Sequence, residues 1–304
     1  MDAALIDEVP QGRAQGSGDE WRFEEGAEIC PGRYALKLLG GGRRYEAYLA
    51  FDEELLNNVV VKILRPSRVK DEHALEGLAG ELRALEALNH PVIARGFWGV
   101  LEGERPHICV EFLEGPRLST LIRKFGPLPL EQLIPLAVQL CSALHYMHAR
   151  RMVHLDVKPK NVIMGAPPRL IDLSIARSLR DAAALEVAVG TDAYMAPEQC
   201  VPTPGRVGAA ADIWGLGVTL YEAVAGELPF PKGTDDDRHP QVKLRPRAFD
   251  VRRVPDPIAE LVNECLRPDP RTRPTARDVN DQLEPLQAAL PRRFVLSRLR
   301  PGLR

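Results

Sequence analysis

The segment His154–Asn161 constrains this chain more than any other, because it places three chemically distinct polar groups close together. Asp156 offers a carboxylate, Lys158 an ammonium group and Asn161 an amide oxygen. In a phosphoryl-transfer site, a carboxylate accepts the proton of the attacking hydroxyl, a cation neutralises the moving phosphate and an amide oxygen holds a metal ion. The spacing therefore fits a loop that transfers phosphate, if the rest of the chain supplies its partners.

Composition is that of an ordinary globular protein and argues against several classes of partner. The chain has 304 residues, enough for one large domain or two lobes, with 45% hydrophobic and 27% charged residues. A formal charge of −2 gives no reason to expect nucleic acid or an anionic membrane. Five cysteines, without a C-x-x-C pair, argue against a disulfide framework or a zinc site and for a reducing, cytoplasmic compartment. No apolar run approaches the ~18 residues of a membrane span.

The pattern of apolar residues changes along the chain. Residues 1–30 are acidic and aperiodic, which predicts a flexible N-terminal extension. Short β-branched and aromatic runs then predict an antiparallel small lobe over about 31–113, and helical periodicity predicts a larger lobe over about 114–290. The arginine-rich tail 291–304 predicts a solvated end, with an anionic-surface anchor as the alternative. The predicted strands are 34–39, 45–51, 59–64, 92–100 and 107–113, and the predicted helices are 73–88, 118–125, 130–150, 207–226, 257–267 and 275–290.

Two features of the small lobe suit phosphate binding. Gly40 and Gly42 lie between the first two predicted strands, where glycine lets backbone N–H groups approach a phosphate, although a plain hairpin turn has the same pattern. Lys62 ends the apolar run 59–61, and a lysine there is costly unless its ammonium meets a charge. The alternative is an edge-strand lysine whose head reaches water.

Taken in order, these segments resemble the protein kinases of eukaryotic type, closest to the bacterial Ser/Thr branch. The segment 154–161 resembles the family's catalytic loop, H-R-D-L-x-x-x-N. Asp172-Leu173-Ser174 resembles D-F-G, and Gly190–Glu198 resembles the end of an activation segment, G-T-x-x-Y-M-A-P-E. The resemblance covers about residues 33–288.

The resemblance implies an α+β fold of two lobes that uses ATP and Mg²⁺. It implies that Asp156, Lys158 and Asn161 are catalytic and that Asn161 and Asp172 hold the metal. It also implies that Glu81, midway along the predicted helix 73–88, pairs with Lys62, and that Asp212 braces the catalytic loop. Residues Ala196, Pro197 and Glu198 would form a docking shelf for peptides, with Arg273 as the buried partner of Glu198. The implied nucleotide site consists of Gly40, Gly42, Ala47, Val60, Lys62, Glu81, Val110, Glu111, Leu113 and Ile163.

Several positions depart from the family pattern. Leu155 replaces the arginine that pairs with a phosphorylated activation loop, and between Ser174 and Thr191 only Ser178 is a candidate phosphorylation site. We therefore expect activity without loop phosphorylation. Tyr45 replaces the third glycine of the family's loop. Ala47 and Val60 exchange the family's valine and alanine, which we expect to leave room for adenine.

Three functions fit these residues. The first is an active Ser/Thr protein kinase acting on a protein hydroxyl, which Lys158 and Thr191 favour over tyrosine. The second is a pseudokinase that binds nucleotide or serves as a scaffold. The third is a small-molecule phosphotransferase of similar fold, against which the docking shelf argues. The protein substrate is not identified by the sequence, and homodimerisation is an open expectation.

Overall fold

The structure, a computed structural model, describes residues 19–250 and 254–290. The strands are β1 Glu28–Cys30, β2 Arg33–Gly41, β3 Tyr45–Asp52, β4 Asn57–Leu64, β5 Gly96–Val100, β6 His107–Glu111, β7 Met152–Val153, β8 Val162–Ile163, β9 Arg169–Leu170 and β10 Arg177–Ser178. The helices are α1 Glu72–Ala87, α2 Leu118–Phe125, α3 Leu130–Ala149, α4 Leu179–Ala183, α5 Pro197–Cys200, α6 Ala209–Ala225, α7 Asp256–Cys265 and α8 Ala276–Ala289. The predicted α+β fold of two lobes is confirmed.

The small lobe is an antiparallel sheet with the strand order β1-β2-β3-β4-β6-β5. Strand β4 alternates as a half-buried strand should, since Val59, Val61 and Ile63 are buried in the lobe core. Val60 and Lys62 therefore point to the opposite face, toward the large lobe. Because β4 lies between β3 and β6, the edge-strand alternative for Lys62 is wrong.

Helix α1 packs across this sheet and carries one polar residue on its buried face. Asp71 caps the helix by accepting a hydrogen bond from the backbone N–H of Ala74 at 3.2 Å. Leu78 and Leu85 are buried, and Glu81 lies between them at helical spacing, so it is buried as well. The same apolar cluster includes Leu173 of the large lobe, which joins the two lobes behind the cleft.

The large lobe is built around α3 and α6. Helix α6 is buried along most of its length, and two of its glycines permit close packing. A Cβ on Gly215 would lie 3.0 Å from the carbonyl oxygen of Val157, and one on Gly217 would lie 2.7 Å from Cβ of Cys265. Because these glycines have no side chain, α6 packs directly against the catalytic loop and α7.

Residues 19–30 differ from the flexible extension that the sequence predicts. The indole N–H of Trp21 donates to the carbonyl oxygen of Leu64 at 2.6 Å, and the carboxylate of Asp19 accepts from the backbone N–H of Ser67 at 2.8 Å. Phe23 packs edge-on against Tyr48. This segment has no periodicity of its own because it adds to a core formed by later strands. Residues 1–18 of the predicted extension and the tail 291–304 lie outside the described residues.

Other element boundaries shift locally. The predicted strand 92–100 begins only at Gly96, and the short helices α4 and α5 have no predicted counterpart. Part of the span 229–256, expected to be an exposed connection, turns inward, since Phe230 and Gln241 are buried. Within the described part of the chain, no helix combines the length and the apolar character needed to cross a bilayer.

Candidate active site

The catalytic loop brings all three predicted catalytic residues together. Oδ2 of Asp156 accepts from Nζ of Lys158 at 2.6 Å and from Nδ2 of Asn161 at 3.0 Å. Oδ1 of Asp156 accepts from the hydroxyl of Thr191 at 2.7 Å, and Nζ of Lys158 lies 2.5 Å from that same hydroxyl. The Asp156 carboxylate is therefore fixed by three donors at the floor of the cleft.

Asp212 on α6 holds the backbone of this loop. Its carboxylate accepts from the N–H of His154 at 2.9 Å and from the N–H of Leu155 at 2.7 Å, and it also contacts Nε2 of His148 at 2.9 Å. Leu155 has a φ of +63°, a conformation that a leucine adopts only when its surroundings impose it. The expected brace is thus present, and it imposes a turn that local sequence would not favour.

Leu155 itself is part of the large-lobe core. Its side chain is only 3% exposed, and its carbonyl oxygen accepts from the Gln199 side chain at 3.0 Å. Gln199 also donates to the carbonyl oxygen of Val189 at 2.9 Å, which ties the activation segment to the catalytic loop. Uncharged contacts therefore hold this segment where the family's arginine would pair with a phosphate.

Lys62, Glu81 and Asp172 form a second cluster above the loop. Nζ of Lys62 lies 2.5 Å from Oε1 of Glu81 and 3.0 Å from Oδ1 of Asp172. Glu81 is 1% exposed, whereas Asp172 is 36% exposed and faces the cleft. Lys62 thus has one buried anionic partner and one that an incoming ligand can reach.

The charges of this cluster are strongly coupled. Burial alone would lower the pKa of Lys62, but Asp172 and Glu81 together raise it above its usual range. Burial alone would raise the pKa of Asp172, but Lys62 and a hydrogen bond from Ser174 hold it well below its usual range. Burial raises the pKa of Glu81. Lys62 is therefore a cation and Asp172 an anion at neutral pH.

The remaining predicted nucleotide residues lie on one side of the cleft or along the segment that joins the lobes. Ala47 pairs with both Gly40 and Lys62, and Val60 pairs with Val110 of β6. Gly42 follows the end of β2, where its N–H donates to the carbonyl oxygen of Tyr45 at 2.9 Å. Leu113, two residues beyond the end of β6, is half-buried. Ile163 lies on β8 of the large lobe and is buried.

Glu111 differs from the other predicted nucleotide residues because its carboxylate is hydrogen-bonded to two arginines outside that set. Its carboxylate accepts from the guanidinium of Arg169 and from the backbone N–H of Arg95. Arg169 lies on β9, three residues before Asp172. The contact links the segment that joins the lobes to β9, the strand that ends two residues before Asp172.

Asn161 and Asp172 could hold a divalent metal ion. The amide nitrogen of Asn161 donates to Asp156, and Nζ of Lys62 donates to Oδ1 of Asp172. Asn161 and Asp172 therefore each keep a side-chain oxygen that can coordinate a metal ion. The backbone N–H of Ile171 donates to the carbonyl oxygen of Asn161 at 2.8 Å, which holds the two segments together. Among the described residues, no group of three or more His, Cys, Asp and Glu could hold a metal ion. Two protein oxygens fit Mg²⁺, which retains water and phosphate ligands.

The docking shelf rests on a buried ion pair. Nη1 and Nη2 of Arg273 lie 2.6 and 2.8 Å from the two carboxylate oxygens of Glu198. Gln241 supports the segment just before the shelf by donating to the carbonyl oxygens of Asp192 at 2.6 Å and Met195 at 3.1 Å. Neither Gln199 nor Gln241 was found from the sequence, since their respective partners Leu155 and Met195 lie 44 and 46 residues away and leave no local signal.

Comparison with known proteins agrees with this arrangement. The family model for the protein kinase domain matches residues 34–283. Serine/threonine-protein kinase PknB of Mycobacterium leprae is 34% identical over 208 residues, which are 65% of this chain and 33% of that protein. Serine/threonine-protein kinase PkaA of Streptomyces coelicolor is 34% identical over 230 residues, 73% of this chain and 41% of that protein. The matches therefore span well under two thirds of the length of these relatives. Since the family model covers most of the chain, the chain belongs to the protein kinase family.

Proposed function

We propose that this chain is an ATP- and Mg²⁺-dependent Ser/Thr protein kinase, which transfers the γ-phosphate of ATP to a protein hydroxyl. The observation that carries the proposal is the convergence on one cleft of the Asp156 cluster and the Lys62–Glu81–Asp172 cluster. The docking shelf and its buried ion pair support a protein as acceptor. The names of the bacterial relatives support serine or threonine as the acceptor residue.

In this proposal Asp156 accepts the proton of the acceptor hydroxyl. The hydroxyl of Thr191 already donates to Oδ1 of Asp156 at 2.7 Å, so the carboxylate is oriented to receive such a proton. Lys158, whose ammonium lies beside both groups, neutralises charge on the transferred phosphate. The acceptor side of the site is thus organised before substrate arrives.

Lys62 orients the nucleotide phosphates in the same proposal. Glu81 holds its ammonium in the cleft, and a phosphate can take the place of the exposed carboxylate of Asp172 as second partner. Asn161 and Asp172 would hold Mg²⁺, which neutralises phosphate charge when bound. Ala47, Val60, Val110 and Ile163 would contact the adenine.

We also propose that activity does not require phosphorylation of the activation segment. Support comes from the uncharged contacts of Gln199 and from the Thr191 hydroxyl, which hold this segment against the catalytic loop. Leu155 supplies no guanidinium for a phosphate. The catalytic domain in this proposal extends over about residues 31–290, with residues 19–30 packed against it.

The proposal is tested by transfer of labelled γ-phosphate to a generic basic protein and to the chain itself. We expect transfer that requires Mg²⁺ and falls by about 10²- to 10⁴-fold in Asp156→Asn, which keeps the size of the side chain but removes the base. Thermal stabilisation by Mg-ATP without transfer would overturn the proposed activity and identify a pseudokinase.

A further inference from the structure

Arg65 connects the N-terminal segment 19–23 to the glycine turn, defined as Gly40, Gly41 and Gly42. Its Nε donates to the carbonyl oxygen of Gly42 at 2.7 Å. Its Nη1 donates to the carbonyl oxygen of Asp19 at 2.8 Å and to Oε1 of Glu46 at 3.1 Å. One planar guanidinium therefore bridges two chain segments that are not adjacent in sequence.

Glu46 fixes the guanidinium from below. Its side chain is 3% exposed, and Oε2 accepts from the hydroxyl of Tyr48 at 2.7 Å. The backbone N–H of Trp21 also points at this carboxylate, 3.3 Å from each oxygen. A buried carboxylate with this many donors has little freedom, so the position of Arg65 is set by the lobe core.

Trp21 anchors the segment 19–23 beside Arg65. Its indole N–H donates to the carbonyl oxygen of Leu64, the residue before Arg65, at 2.6 Å. The guanidinium of Arg105 lies 5.5 Å from the Trp21 ring and 5.1 Å from the Phe23 ring. The segment is thus held by an indole hydrogen bond and by cation–π contacts as well as by Arg65.

The glycine turn is shaped around this arginine. A Cβ on Gly41 would lie 2.9 Å from the carbonyl oxygen of Tyr45 and 3.1 Å from Nη2 of Arg65, whereas a Cβ on Gly42 would have nothing within 4 Å. Gly41 is therefore required by the close approach of the Tyr45 carbonyl oxygen as well as by that of Arg65. The resemblance to the family loop had singled out Gly40 and Gly42 instead.

We propose that Arg65 is a positioning residue for nucleotide binding, and that the segment 19–23 completes its site. The inference rests on the proposed function, and on the expectation from the sequence that the glycine turn lies close to the phosphates of ATP. A turn whose carbonyl oxygen is held by Arg65 keeps its backbone in a fixed position, so ATP binding does not have to order it. Loss of the link weakens ATP binding and leaves the groups that transfer phosphate in place.

The test compares Arg65→Lys with Arg33→Lys in the full chain. Arg33 is a matched control, since its side chain is 15% exposed against 17% for Arg65, and it pairs with the buried carboxylate of Asp52. Arg33 stacks on Trp98 at 4.3 Å and has no hydrogen bond to the glycine turn. In both variants lysine keeps a positive charge beside the buried carboxylate, Glu46 or Asp52. Arg65→Lys loses the planar guanidinium that donates to two backbone carbonyl oxygens.

We expect Arg65→Lys to raise KM for ATP by about three- to tenfold, as loss of one to two hydrogen bonds predicts, with kcat within about twofold of wild type. Arg33→Lys should leave KM for ATP unchanged. Trp21→Ala should raise KM in the same direction as Arg65→Lys, because it releases the segment 19–23.

Equal rises in KM for Arg65→Lys and Arg33→Lys would mean general loosening of the lobe and would overturn the inference. An unchanged KM in Trp21→Ala would overturn the part assigned to the segment 19–23. If wild type shows no thermal stabilisation by Mg-ATP, the proposed function fails and the inference fails with it. If wild type is stabilised and Arg65→Lys equally so, only the inference fails.

Discussion

Replacing Arg273 by methionine removes the cation beneath the docking shelf and leaves Glu198 buried without a partner. The two side chains are 0% and 3% exposed, so neither group can turn to solvent. Arg273 also donates to the carbonyl oxygens of Arg267, Ala210 and Pro268, at 2.7, 2.8 and 3.1 Å. Its guanidinium lies 4.9 Å from the Trp214 ring.

The expected cost follows from this burial. Removing one partner of a buried ion pair costs about 3–5 kcal/mol, since the remaining charge keeps its desolvation penalty. Methionine fills much of the volume, which limits any cavity contribution. We therefore expect Arg273→Met to lower the free energy of unfolding by about 3–5 kcal/mol.

Urea denaturation followed by circular dichroism measures this cost. Arg271→Met is the matched control, because Arg271 lies two residues away on the same turn but is 84% exposed and pairs with Asp269 at the surface. It should change stability little. Adding Glu198→Gln to Arg273→Met should recover part of the loss, with a coupling of about 2–3 kcal/mol. A loss below about 1 kcal/mol for Arg273→Met, or an equal loss for Arg271→Met, would refute the reasoning.

Three further predictions concern the cleft and its surroundings. In urea denaturation, Gly80→Ala should raise the free energy of unfolding by up to about 1 kcal/mol, because alanine favours the helix α1. Gly77→Ala should raise it by less, because the new Cβ would lie 3.1 Å from the Tyr45 hydroxyl, and adding Tyr45→Phe to Gly77→Ala should restore the full gain. Equal gains for Gly80→Ala and Gly77→Ala in the presence of Tyr45 would contradict this packing argument. Because Lys62 holds the pKa of Asp172 low, Asp172 stabilises the fold above its unfolded pKa of about 3.9. The stability difference between wild type and Asp172→Asn, from urea denaturation, should therefore shrink as the pH falls below about 4 and stay constant above it. Phosphatase treatment and Ser178→Ala should each leave kinase turnover within about twofold of wild type, and abolished turnover would refute independence from loop phosphorylation.

Much of the candidate site was predictable because its charged and polar side chains lie in short sequence segments. Asp156, Lys158 and Asn161 belong to one loop, so their spacing alone suggested that they meet. Glu81 could be assigned to the buried face of α1 because Leu78 and Leu85 flank it at helical spacing. The pairing of Lys62 with Glu81 required the family resemblance as well, since nothing local fixes how α1 lies on the sheet.

The sequence by itself determined the protein family, the two-lobed plan and the identity of the charged groups, because each is carried by local motifs and periodicity. Tertiary structure decided how those groups are paired. Lys62 meets Asp172 across 110 residues of sequence, and Thr191 reaches Asp156 across 35. It also placed Arg65 between the carbonyl oxygens of Asp19 and Gly42. Such contacts depend on how whole helices and strands pack against one another. A segment without periodicity, such as 19–23, carries no local pattern that predicts its packing against the core of another element.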